Sequence, residues 1–263
     1  MLKLVLKIIG GLFLVFVGLI VGVALSLNAN LPTTTFDVET KVTGQAADET
    51  SSILIFGATR NTGLKVAQRL IERGDKVTAF VRPTSDRGGL EKLRVDFVVG
   101  DAMDIETVRE AFAAGNYRAV LTTVGCQSCE PPPDYQANSN IVKVAKEAGV
   151  RRVVFISTIG AGDSFGAVPW LSRRFLANTL RMKTRAEIEF RQSGLDYTII
   201  RPGGLRSDKP TGNGVLTEEV DVFGFISRDD LADLIVAVLD DDRSINRTLA
   251  AVDANRQWPW SSK

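Results

Sequence analysis

Two groups of residues in this chain have the type and spacing to do chemistry. The first is the stretch Gly57-Ala58-Thr59-Arg60-Asn61-Thr62-Gly63, which follows the apolar run Ile53-Leu54-Ile55-Phe56. Gly57 permits a tight turn and Gly63 permits close packing at the start of a helix. The backbone N–H groups exposed between them can then bind a pyrophosphate. A glycine pair alone is weak; its place between the first strand and first helix of a strand–helix–strand unit makes it specific. The second group is Cys126 and Cys129, the only two cysteines. One CxxC lacks the four ligands of a structural zinc, and no metal site is expected. The pair reads either as two reduced thiols in a loop or as a redox couple that closes a disulfide.

The missing residue types exclude as much. The chain has 263 residues and no histidine, so a Ser-His-Asp hydrolase and a His-ligated metal are ruled out. Acid–base work falls to Asp, Glu, Lys, Tyr, Cys or a substrate group. Lys and Arg total 32 against 31 Asp and Glu, which gives no basic excess for nucleic acid, and none is expected as a partner.

The elements that must position these residues alternate regularly. Apolar runs at Ser51–Phe56, Lys76–Val81, Val95–Val99, Ala119–Val124, Val153–Ser157 and Tyr197–Ile200 read as strands. Helical periodicity fills Leu64–Arg73, Ile105–Ala113, Tyr135–Ala148 and Ala177–Gln192, with Gly74, Gly149 and Gly194 as stops. Continuous rather than alternating apolar strands imply a parallel sheet covered on both faces. The expected fold class is α/β, doubly wound. Towards the end, Phe223–Ile226 and Asn246–Val252 read as strands around a helix Asp230–Leu239 capped by Ser227. Loops Gly160–Pro169 and Gly203–Gly214 border the expected crevice, the latter as a lid. The two indoles Trp258 and Trp260 have no single reading.

The first fifty residues stand apart. Ile8–Leu27 contains no charge over twenty residues, the length of a membrane-crossing helix. Gly18 and Gly22 form a small-xxx-small pair suited to helix packing. A retained anchor is favoured over a signal peptide, because the apolar run is long and no good cleavage site follows. The expected organisation is a flank at 1–7, a transmembrane helix at 8–27, a spacer of little intrinsic structure at 28–50 and a nucleotide-binding domain at 51–263.

The domain resembles the atypical short-chain dehydrogenase/reductase superfamily, especially its NmrA-like and flavin/biliverdin-reductase-like branches. GATRNTG at 57–63 is similar to the family's GATGxTG loop. Val98-Val99-Gly100-Asp101 is similar to the end of its third strand. Asp134-Tyr135-Gln136-Ala137-Asn138-Ser139-Asn140 with AKEAGVRRVVFIST is similar to its central helix and fifth strand, and SGLDYTIIRPGG at 193–204 is also characteristic. The resemblance spans 51 to about 252. It implies a doubly wound parallel Rossmann sheet, here preceded by one N-terminal transmembrane helix, and an NAD(P) cofactor held by Gly57, Thr59, Arg60, Asn61, Thr62, Gly63, Arg82, Asp101, Thr123, Gly125 and Pro202. Arg60 replaces the family's middle glycine; it crowds the pyrophosphate, pairs with it, or stands as a tolerated surface arginine. Arg82, at the tip of the second strand where no carboxylate stands, favours NADP(H) over NAD(H). Arg87 is a weaker phosphate ligand.

Active relatives carry a serine and a Tyr-x-x-x-Lys. Ser157 and Lys183 match the serine and the lysine and are the candidate catalytic residues, Ser157 as a hydrogen-bond donor and Lys183 as a ligand of the ribose or of an acidic substrate. Thr179, however, occupies the tyrosine position, and a threonine hydroxyl is too weak an acid to replace it. Hydride transfer to an electron-poor acceptor avoids that need, since solvent can supply the proton. The expected function is thus a membrane-anchored NADPH-binding reductase of a flavin, quinone or tetrapyrrole. The alternative is a non-catalytic NADP(H)-binding structural, assembly or redox-sensing subunit of a membrane complex, reached through the N-terminal helix. Lys3 and Lys7 favour a cytoplasmic N-terminus; the cofactor favours a domain in the cytoplasm or an equivalent compartment, and the latter is preferred.

Overall fold

The structure, a computed structural model, describes residues 30–38 and 51–255. Its frame is an eight-stranded sheet: β1 Ser52–Phe56, β2 Val77–Val81, β3 Asp96–Val99, β4 Tyr117–Thr122, β5 Arg152–Ile156, β6 Asp196–Pro202, β8 Gly214–Thr217 and β10 Arg247–Asp253. The order is β3-β2-β1-β4-β5-β6-β10-β8. All neighbours run parallel except β8, which pairs antiparallel with β10. Two short strands, β7 Gly204–Arg206 and β9 Phe225–Ser227, pair beside it. The chain order reverses between β1 and β4, which opens a crevice above their C-terminal ends.

The strand pleat divides the core in two. Ile53 and Ile55 of β1 point to one face and join Val66, Leu70, Leu231 and Ile235. Leu54 and Phe56 point to the other and join Phe112, Ile141 and Phe190. The first face is covered by α1 Asn61–Arg73 and, after a one-turn α2 Gly88–Glu91, by α6 Arg228–Leu239. The second is covered by α3 Ile105–Ala113, α4 Gln136–Glu147 and α5 Trp170–Gln192. The caps follow from sequence. Gly74 takes a left-handed φ of 101° and its N–H closes α1 on Leu70 and Ile71. The Asp104 and Ser227 side chains accept from the backbone N–H of Glu106 and Asp230 at the starts of α3 and α6.

The doubly wound parallel sheet is as expected; the anchor is not. No helix among the described residues is long and apolar enough to cross a membrane. The transmembrane architecture, the single-pass localisation and the membrane-complex partner are therefore corrected. The segment that prompted them, 8–27, lies outside the described residues, as do Trp258 and Trp260. That expectation rests on an uncharged run of twenty residues with no good cleavage site after it, and neither establishes a span.

Part of the spacer is ordered against the domain. Asn30 and Phe36 form antiparallel bridges to Phe223 and Leu216. The Glu219 carboxylate accepts from the backbone and hydroxyl groups of Thr33 and Thr34. These bonds hold the Glu219 carboxyl down at about 2. Helix α5 also begins at Trp170, seven residues before the expected Ala177. Its buried residues start only at Leu180, so its first turns carry no core periodicity for a sequence pattern to register. Within the expected lid at 203–214, Thr211 and Gly212 donate backbone N–H groups to Asp230.

Candidate functional site

The glycine loop joins β1 to α1 at the switch point. Gly57 has a φ of 87°. A Cβ on Gly63 would stand 2.2 Å from the Gly57 carbonyl oxygen, so only glycine lets the helix start this close to the turn. No side chain caps α1 and its first turn holds no acidic residue, which leaves the positive end of the helix open to an anion. Arg60 precedes the helix in extended backbone (φ −155°, ψ 170°), a conformation open to any residue, and its side chain is exposed. The missing middle glycine therefore introduces no backbone strain. Asn61 adopts φ 51°, which asparagine tolerates. Thr59 is half-buried and Thr62 is buried.

The floor of the crevice is the end of β4. Thr123 donates its N–H to Phe56 O at 3.0 Å and its hydroxyl to Gly57 O at 3.1 Å, fixing the glycine loop from below. Gly125 lies over a buried pair: a Cβ there would meet Asp134 Oδ1 at 2.9 Å and Lys183 Nζ at 3.3 Å. On the other side of β1, Arg82 is exposed at the tip of β2. Arg87 is instead stacked 5.6 Å over the Phe97 ring. Asp101 is exposed past β3, one carboxylate oxygen accepting from the Met103 N–H. Pro202 is buried at the end of β6, its carbonyl taken by the Ile159 N–H. The loop residues, Arg82, Asp101, Thr123 and Gly125 thus lie at the C-terminal ends of β1–β4, while Pro202 lies across the sheet at the end of β6.

Ser157 and Lys183 both point inward. The Ser157 hydroxyl donates to Glu187 Oε1 at 2.6 Å. Glu187 is fully buried and is clamped by Arg201, whose Nε and Nη2 donate to its two oxygens at 2.9 and 2.7 Å. Lys183 donates to Val124 O at 2.7 Å and Ile156 O at 3.0 Å, with Asp134 Oδ1 3.8 Å away. Burial lowers its ammonium to about 8, against the pull of Asp134 and Glu187. Both residues tie the ends of β4 and β5 to α5. Thr179 is half-exposed, and the three tyrosines serve elsewhere: Tyr117 donates to Ala111 O, Tyr135 donates to Glu189 and Tyr197 lies in β6.

Sequence reasoning did not single out Glu187, Arg201, Asn138 or the buried role of Asp134. One signal was available: a cation at position 201 within the apolar strand TIIRP requires a buried anion. The cysteines are settled by the structure as a disulfide, with Cα atoms 5.4 Å apart, rather than as two reduced thiols.

A family described as NAD(P)H-binding matches residues 57–242, a span that begins on Gly57 itself. The chain belongs to this family. It binds NAD(P)H and is related to the short-chain dehydrogenase/reductase, NmrA-like and flavin/biliverdin-reductase-like groups, as the glycine loop and the central helix implied. An uncharacterized chloroplastic protein of Arabidopsis thaliana is 30% identical over 210 residues, covering 73% of each chain. The sanguinarine reductase of Eschscholzia californica is 25% identical over 243 residues, covering 74% of this chain and 86% of its own. Among solved structures, ChuY, an anaerobilin reductase of Escherichia coli O157:H7, superposes with a TM-score of 0.72 at 25% identity, over 79% of this chain and all of its own.

Proposed function

We propose that this protein is an NADPH-dependent reductase that passes hydride to a flat, conjugated acceptor of the flavin or tetrapyrrole kind. The observation that carries this reading is a glycine turn leading into an uncapped helix at the β1/β4 switch point, with no tyrosine acid beside it. The helix start fits the cofactor: Gly63 lets α1 begin against the Gly57 carbonyl, and with no side-chain cap and no acidic residue in its first turn, the N–H groups there are left for a phosphate. Gly57, Thr59, Arg60, Asn61, Thr62 and Gly63 would hold the pyrophosphate, Asp101 would face the adenine side, and Thr123, Gly125 and Pro202 would shape the floor. Arg82 would bind a 2′-phosphate and favours NADP(H) over NAD(H).

A bound reduced nicotinamide supplies the hydride. The protein's part is to bind, orient and exclude water. With Ser157 and Lys183 bonded inward, neither is a free acid at the crevice; both act as positioning residues, and the product proton comes from water. An acceptor that needs no protein acid suits such a site. Helix α5 offers it a surface. Its 23 residues run about 34 Å, twice the ~17 Å of β5, so its first turns overhang the edge of the sheet that carries the crevice. Trp170 and Phe175 are 64% and 73% exposed on that overhang, beside Arg173 and Arg174. Two relatives bear the names of reductases, sanguinarine reductase and an anaerobilin reductase, and support the same class.

The inward bonding of Ser157 and Lys183 also favours a second reading, a non-catalytic NAD(P)H-binding protein whose occupancy is sensed. One experiment separates them: NADPH and NADH binding by calorimetry on the full chain, then flavin, quinone and tetrapyrrole acceptors with absorbance at the reduced-nicotinamide band. Saturable oxidation of bound NADPH supports the reductase. Tight binding without oxidation supports the second reading.

A further inference from the structure

The Cys126–Cys129 disulfide has no part in the reductase reading, yet it hangs from the floor of the nucleotide crevice. Three residues before it, Thr123 holds the glycine loop. The segment between is pinned from beneath by buried side chains. Val124 O accepts from Lys183 Nζ at 2.7 Å and from Asn138 Nδ2 at 3.2 Å. The Cys126 N–H donates to Asp134 Oδ2 at 2.9 Å. Asp134 and Asn138 are 1% and 0% exposed. Above these anchors the four-residue ring faces outward, with Gln127 and Ser128 exposed and both cysteines half-buried. The bridge thus sits in an outward-facing segment, while the residues that hold the fold lie below it.

We propose that Cys126–Cys129 is a reversible thiol–disulfide exchange site for an external dithiol, and that its oxidised form is the one in which the crevice binds NAD(P)H more tightly. In the exchange, a thiolate of the dithiol attacks one cysteine sulfur and the S–S bond breaks. The other cysteine leaves as a thiolate and takes a proton. The dithiol's second sulfur then closes on the first, releasing the remaining cysteine as a thiol. Two electrons and two protons pass to the protein, and the reagent leaves as its own disulfide. The core stays intact because Lys183, Asn138 and Asp134 do not depend on the bridge. The ring at 126–129 and the Pro131-Pro132-Pro133 stretch after it gain freedom, and nucleotide binding must then order them. Ordering several backbone residues on binding lowers affinity. The inference rests on the nucleotide lying at the β1/β4 switch point.

The test uses the full chain. NADPH affinity is measured by calorimetry on the oxidised protein, on protein treated with dithiothreitol, and on the Cys126→Ser/Cys129→Ser variant. Reduction is verified by the mass added on alkylation. Reduction is expected to weaken NADPH by roughly fivefold, and the double variant to match the reduced protein and ignore dithiothreitol. Linkage supplies a second readout on the unaltered chain: in a dithiothreitol redox titration, saturating NADPH must shift the disulfide's equilibrium towards the oxidised form by the same factor. Cleavage with unchanged affinity, a bond that no dithiol concentration opens, or a dithiothreitol effect that persists in the double variant would each overturn the proposal. Absence of NADPH binding in both redox states would instead overturn the nucleotide site on which it rests.

Discussion

The Ser157 hydroxyl and the Glu187 carboxylate form a 2.6 Å hydrogen bond inside the core, with Arg201 closing on the same carboxylate from the far side. Glu187 also accepts from Arg191 at 3.1 Å. A serine at the C-terminal end of the fifth strand is thereby turned from the crevice into the seam between β5, β6 and α5. Removing one member of a buried pair strands the other charge. Glu187→Gln should cost about 3 kcal/mol or more of unfolding free energy, while Ser157→Ala, which loses a charge-assisted hydrogen bond, should cost about 1–2 kcal/mol. Urea denaturation measures both. A midpoint unmoved by Glu187→Gln would show that the seam is not structural.

Arg82 is exposed at the tip of β2, without a carboxylate at that position. Its guanidinium suits a phosphate monoester and has little to offer a bare ribose hydroxyl. Arg82→Ala should weaken NADPH on the order of tenfold, about 1.4 kcal/mol, and leave NADH nearly unchanged. Equal losses for both nucleotides would remove Arg82 from the 2′-phosphate position.

Gly63→Ala would drive a methyl group into the Gly57 carbonyl, 2.2 Å away. Either the helix start moves off the turn or the turn opens, and both displace the N–H groups meant for the pyrophosphate. The expected result is loss of measurable NADPH binding with a stability loss of about 1–3 kcal/mol. Calorimetry and thermal unfolding on the same sample report the two effects. Retained affinity would place the cofactor elsewhere.

Lys183 makes the stability of the protein depend on pH in a defined window. Burial lowers its native ammonium to about 8 from the ordinary 10.5, with Asp134 and Glu187 opposing. Between those values the unfolded chain keeps the proton and the native chain has released it, so stability rises as pH increases through the window and is level below it. The size is on the order of 3 kcal/mol. Lys183→Met should abolish the rise, and should lower stability overall because the Val124 and Ile156 carbonyls lose their donor. Urea unfolding of both proteins at several pH values measures the difference; parallel curves would contradict the assignment.

What the sequence by itself determined was local. Apolar runs such as Ile53–Phe56 specify a two-sided buried strand, because a parallel sheet covered by helices has no wet face. Gly57 and Gly63 specify a turn with close helix approach, and Ser227 before Asp229 and Asp230 specifies a helix start; all three stand in the structure. Those signals sit within a few residues of the geometry they control, and the nucleotide site is legible for that reason. Tertiary structure decided the rest. Whether Ser157 faces a ligand or Glu187 depends on α5 packing across β5, thirty residues away in sequence. The state of Lys183 depends on how much water α5 and β4 exclude, which no spacing reveals. The outer turns of α5 bury no residue before Leu180, and the ordering of residues 30–38 depends on contacts with the finished domain, so neither carried a periodic pattern. The uncharged stretch at 8–27 shows the converse: hydropathy and the lack of a cleavage site suggested an anchor that no described helix supplies. Short-range pattern fixes backbone geometry, whereas the direction, charge and partner of a polar side chain are settled by what the rest of the chain packs around it.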